Sequence, residues 1–228
     1  MNRLALASEA VVIGGFSEGS NLMDPLRVAL SEGKNKMFAS VAEDSPNVAD
    51  IQTDPASYIK LFEGKTIVMH SLASIIMAER YAGLREKAKG FVLLNPVEGP
   101  GLLGTLKGAI GVALQKENNE EDPKYVPSFS QGPKELIRHP IVNLRNPLFA
   151  SRLSTAGSIL ETTTPYEDGV GYFEYADDEF GFQNVGPNLQ NIKEKGYDGA
   201  RLSGKHMAPV YRPEDTTRQL VEYMNATQ

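Results

Sequence analysis

Lys65-Thr66-Ile67-Val68-Met69-His70-Ser71-Leu72-Ala73-Ser74 is the stretch on which the fold turns. Its opening residues, with β-branched Thr66, Ile67 and Val68, have the composition of a buried strand. After Ser74 the chain reads as helix through Ile75, Ile76, Met77, Ala78 and Tyr81. Between the two patterns lies only His70-Ser71-Leu72-Ala73-Ser74, which predicts strand, sharp turn and helix with Ser71 in the turn.

The same alternation extends on both sides. Upstream, Ala10-Val11-Val12-Ile13 ends in Gly14-Gly15, a buried strand running into a turn. A helix is predicted over 21–30 from the spacing of Leu22, Leu26, Val28, Ala29 and Leu30, with Gly33 as its stop. Lys36 to Val41 reads as a second strand, 43–55 as a polar loop outside the core, and 56–62 as a further helix. Downstream, Phe91-Val92-Leu93-Leu94-Asn95-Pro96 is another buried strand, stopped by a proline that has no N–H for a sheet ladder. Strands alternating with helices predict an α/β fold, a central, mostly parallel sheet flanked by helices.

From 97 to 158 the alternation stops. An apolar helix candidate from Leu102 to Leu114 is followed by the charged run Glu117 to Asp122 and by turns at Pro123, Pro127, Pro133, Pro140 and Pro147. The strand pattern returns at Val170 to Ala176 and weakly at Gly199 to Leu202, before a helix over 213–224. The expected organisation is one domain: residues 1–96 and 159–228 build the core, and 97–158 form a cap or lid over the sheet.

Composition narrows the function. A chain of 228 residues with 41% hydrophobic and 23% charged residues has the material for one sizeable core. A net charge of −6 opposes a phosphate-neutralising surface, so no nucleic-acid partner is expected. The absence of cysteine excludes disulfides, thiolate nucleophiles and cysteine metal sites, and three scattered histidines predict no metal site. Ser8-Glu9 interrupts the N-terminal apolar residues well short of a signal-peptide core, and no run is long enough to span a bilayer, which predicts a cytoplasmic protein. The glycines of Gly15-Phe16-Ser17-Glu18-Gly19-Ser20 lack dinucleotide-fingerprint spacing. Oligomeric state and substrate identity are left open by the sequence.

The stretch Lys65 to Ser74 resembles the strand and nucleophile elbow of the α/β-hydrolase superfamily, usually written G-x-S-x-G, with Met69 and Ala73 in place of the two glycines. Ser203-Gly204-Lys205-His206-Met207 resembles that family's Gly-x-His turn before its last helix. Gly14-Gly15-Phe16 resembles its His-Gly-aromatic turn, with Gly14 standing for the histidine. The resemblance implies an α/β-hydrolase fold with a helical cap, Ser71 as nucleophile and His206 as base. It places an acid in the loop after the strand at 170–176, with Asp178 favoured, Asp177 second and Asp168 third. It also implies an oxyanion hole from the amides of Phe16 and Leu72, with Gly15 in the turn, and no cofactor.

The chemical logic is that a serine hydroxyl needs a positioned imidazole to take its proton, and a carboxylate to hold that imidazole in the right tautomer. Preorganised amides then stabilise the oxyanion of the tetrahedral intermediate. The implied activity is a serine hydrolase of esterase, lipase or thioesterase type, cleaving a small or medium acyl compound through an acyl-enzyme. His70 is expected to be structural, facing away from the reacting side. Met69, together with Gly14 before Gly15, supports an alternative: a catalytically inactive fold that binds a ligand or protein. The same triad also serves non-acyl chemistry such as carbon–carbon cleavage or cofactor-free oxidation.

Overall fold

Thr66 to His70 and Gly90 to Leu94 are buried at every position, so these two runs must lie in the middle of a sheet covered on both faces. The computed structural model describes residues 4, 6–15, 23–44, 46, 48–96, 169–176, 194 and 197–227. Within them the strands are β1 (Glu9–Ile13), β2 (Ser40–Val41), β3 (Thr66–His70), β4 (Gly90–Leu94), β5 (Val170–Tyr175) and β6 (Asp198–Leu202). They form one six-stranded sheet in the order β2-β1-β3-β4-β5-β6. Every pairing is parallel, and the register sets Ile13 beside Met69 and His70 beside Leu94.

Alternate strand residues feed two separate cores, as the period of two requires. On one face Val11, Ile13, Ile67, Met69, Phe91, Leu93 and Tyr172 pack with Val48, Ile51, Phe62 and Leu84. Those four partners come from α2 (Val48–Thr53), α3 (Ile59–Phe62) and α4 (Ala82–Arg85). On the other face Val12, Val68, Val92, Leu94, Phe173 and Tyr175 pack with Leu26, Leu30, Ala208, Val210 and Leu220. These belong to α1 (Asp24–Ser31), α5 (Ala208–Tyr211) and α6 (Pro213–Thr227). Leu26, Ala29 and Leu30 recur at helical spacing on α1, as do Pro213, Thr216, Thr217 and Leu220 on α6. Pro213 opens α6, with Glu214 and Asp215 in its first turn, where negative charge suits the helix dipole.

Three local expectations are corrected. The strand expected from Lys36 pairs only at Ser40 and Val41, because the N–H groups of Met37 and Phe38 donate to the carbonyl of Leu30 at 2.8 and 3.0 Å. Those bonds serve the end of α1 instead of a ladder. The polar stretch 43–55 contains α2, whose Val48 and Ile51 are fully buried one turn apart. After Ser71 the chain forms a 3-10 helix over Ser71–Met77, followed by a short 3-10 turn, Glu79–Tyr81, and then α4. Ala73, Ile75, Ile76 and Met77 are all buried, so this segment is enclosed on all sides and needs no single apolar stripe to hold it. The insertion at 97–158, with its helix candidate, lies outside the described residues.

Candidate active site

Ser71 directly follows β3. His70 is extended, at φ −110° and ψ 136°, Ser71 then takes φ 55°, and the 3-10 helix starts at once. Left-handed backbone costs a side-chain-bearing residue of order 1–2 kcal/mol and persists where the surroundings impose it. Here the imposing elements are a fully buried strand and an enclosed helical segment. The Ser71 turn therefore has the strained strand-to-helix geometry of a nucleophile elbow.

The imidazole of His206 meets it: His206 Nε2 lies 2.9 Å from Ser71 Oγ, and both side chains are buried. Four ties hold the His206 loop in place. The backbone N–H and the hydroxyl of Ser203 donate to Gln219 Oε1 of α6 at 2.7 and 3.1 Å. Gly204, at φ 127°, brings the chain so close to Ala208 and Tyr175 that a Cβ would stand 2.8 Å from Ala208 Cβ. The N–H of Ala208 donates to the carbonyl of Lys205 at 2.9 Å. Finally, His70 Nε2–H donates to the backbone carbonyl of His206 at 2.8 Å. His70 is fully buried and joins the end of β3 to the His206 loop; it does not face away from that loop as expected, since its ring stands 5.0 Å from that of His206.

A further residue, overlooked by the sequence reading, completes the contact. Asn95 follows β4 as Ser71 follows β3, and the His70–Leu94 pairing sets the two side by side. Asn95 also has left-handed backbone, at φ 49°. Its Nδ2 lies 2.7 Å from His206 Nδ1, and its Oδ1 accepts from the Tyr175 N–H at 3.4 Å. Its own N–H donates to the carbonyl of Phe173 at 2.6 Å. The available signal was positional: Asn tolerates left-handed backbone, and Asn95 ends the strand next to the elbow strand.

Gly15 is buried just beyond β1, at the same carboxyl end of the sheet as Ser71. Leu72, the other amide of the expected oxyanion hole, is the second residue of the 3-10 helix. Phe16, Asp168, Asp177 and Asp178 lie outside the described residues. Met69 points to the other face, packed among Ile13, Ile67 and Leu93, so its long side chain does not separate Ser71 from His206. Away from the site, burial raises the Glu174 carboxyl above its ordinary value against the opposing pull of Arg201, 3.4 Å away. Among the described residues no cluster of three or more His, Asp or Glu could hold a metal ion. Among them, too, no helix is long and apolar enough to cross a membrane.

Comparisons with solved structures agree with this architecture. The chain is similar to an enol-lactonase from Burkholderia xenovorans LB400, at 12% identity over 98% of this chain and 93% of that one, with a TM-score of 0.56. It is similar to a thermophilic esterase from Thermogutta terrifontis solved with malate, at 12% identity over 97% and 90%, TM-score 0.53. Tomato methylketone synthase I, complexed with 2-tridecanone, matches at 13% identity over 98% and 100%, TM-score 0.52. No family model matches the chain, and no curated protein matches it by sequence. The chain has the α/β-hydrolase fold, with its parallel sheet flanked by helices.

Proposed function

We propose that the protein is a serine hydrolase that cleaves a small or medium acyl compound, of ester or related type, through an acyl-enzyme. The observation that carries this reading is the 2.9 Å contact between His206 Nε2 and the hydroxyl of a serine held at positive φ. Ser71 attacks the acyl carbon, and its proton passes to His206, which returns it to the leaving group. Asp178, with Asp177 next, supplies the carboxylate that stabilises the imidazolium. The amides of Phe16 and Leu72 receive the oxyanion, and residues 97–158 act as the cap that shapes the acyl pocket. The lactonase and esterase among the structural neighbours support the choice of acyl chemistry.

The test is covalent labelling by an alkyl phosphonate probe. Wild-type protein is expected to label at Ser71 and the Ser71→Ala variant not to label. Unlabelled wild type, or equal labelling of the variant, sinks the reading.

A further inference from the structure

We propose that Asn95 is a positioning residue for His206, and that its side-chain amide sets which imidazole nitrogen carries the proton in the resting protein. The proposal rests on the serine-hydrolase reading for its catalytic consequence, though not for the tautomer itself. The Tyr175 N–H can only donate, so the atom of Asn95 facing it is the acceptor Oδ1. That leaves Nδ2, a donor, 2.7 Å from His206 Nδ1. A donor at that distance needs a lone pair opposite it, so Nδ1 is unprotonated and the single proton sits on Nε2. An imidazolium, protonated at both nitrogens, would set two donors against each other.

The Nε2–H then donates to Ser71 Oγ across the 2.9 Å contact, the reverse of what a general base needs. To accept the serine proton, His206 must move its proton to Nδ1. This exchange presents a lone pair at Nε2 and requires an acceptor at Nδ1. Rotating the Asn95 amide supplies Oδ1 there at the expense of the bond from Tyr175; a carboxylate from the loop after β5 would do the same. Asn95 therefore holds the site in a resting form that must convert before His206 can accept the Ser71 proton. Its position at the strand end, with φ 49°, is also open to aspartate, which tolerates the same backbone.

The experiment is long-range proton–nitrogen NMR of the full chain, run above the imidazole titration, with His206→Gln assigning the His206 signals. Wild type is expected to show Nε2 protonated and Nδ1 bare. In Asn95→Asp the carboxylate is expected to reverse the tautomer and to move the midpoint of the His206 titration upward, since a negative neighbour favours the charged ring. Phosphonate labelling of Ser71 should rise on the order of ten-fold in that variant. A wild-type ring protonated at Nδ1 overturns the proposal, even if the variant fails to fold. So does a folded Asn95→Asp protein with wild-type tautomer and titration. A reversed tautomer in a variant that still does not label leaves the proposal standing and removes the hydrolase reading instead.

Discussion

Gly204→Ala tests how the fold places His206 against Ser71. The glycine sits at φ 127°, where a side chain is strained regardless of space, and its added Cβ would stand 2.8 Å from Ala208 Cβ and 3.4 Å from Tyr175 Cδ1. Neither obstacle is the tip of a flexible chain: Ala208 Cβ is fixed to the start of α5, and Tyr175 is a buried ring on β5. Backbone strain of this kind costs about 1–3 kcal/mol and overpacking of a filled core about as much. A central expectation of about 4 kcal/mol lowers Tm by roughly 8–16 °C in a domain of this size. The relaxation must also move His206, two residues on, away from Ser71; a displacement of about 1 Å at a reacting group can cost on the order of a hundred-fold in rate. Thermal unfolding and the phosphonate labelling rate of the folded fraction measure the two effects. A variant with Tm and labelling equal to wild type would refute the claim that Gly204 is required for the placement of His206.

Other perturbations probe the neighbouring ties. His70→Leu leaves the buried carbonyl of His206 without the His70 donor, a loss of about 1–3 kcal/mol in urea unfolding. His70→Gln, which restores a donor, should recover part of that stability and of the labelling rate; equal behaviour of the two variants would count against the tie. Asp178→Asn should slow labelling by on the order of a hundred-fold or more and Asp177→Asn far less, and the opposite ranking would exchange their roles. Glu174 has its folded pKa raised by burial, so the native state binds its proton more tightly than the unfolded chain. Its stabilising contribution is complete below the unfolded value and is lost as pH rises through the raised folded value. Glu174→Gln should therefore gain on wild type across that rise in urea unfolding; a variant that loses ground as pH increases reverses the sign.

The sheet was legible because its central strands are buried on both faces and so read as unbroken apolar runs. Val11 to Ile13, Ile67 to Met69 and Phe91 to Leu94 carry that signal with no competing pattern. Where long-range bonds override local preference, the reading fails. Phe38 looks like strand, yet its N–H goes to Leu30 at the end of α1. Val48 and Ile51 are too few apolar positions to announce a helix, although both reach the core. Met69 illustrates the limit of motif substitution: a long side chain at a glycine position suggests obstruction until strand alternation puts it on the opposite face from His70.

The pair Ser71 and His206 was legible through the resemblance of their segments to a nucleophile elbow and a Gly-x-His turn, and both segments do carry positive-φ backbone, at Ser71 and at Gly204. Asn95 was not, and the reason is physical. A search for the partner of a catalytic imidazole looks for charge, whereas the fold selects by place: the residue after β4 is carried to the residue after β3 by the parallel register. At that place the backbone turns left-handed, which favours asparagine and aspartate alike. On the proposal made for Asn95, the amide and the carboxylate differ in which nitrogen of His206 they leave protonated. That difference is carried by the orientation of one side chain between the Tyr175 N–H and His206 Nδ1. Neither neighbour is near Asn95 in sequence, so no pattern of residues around Asn95 records it.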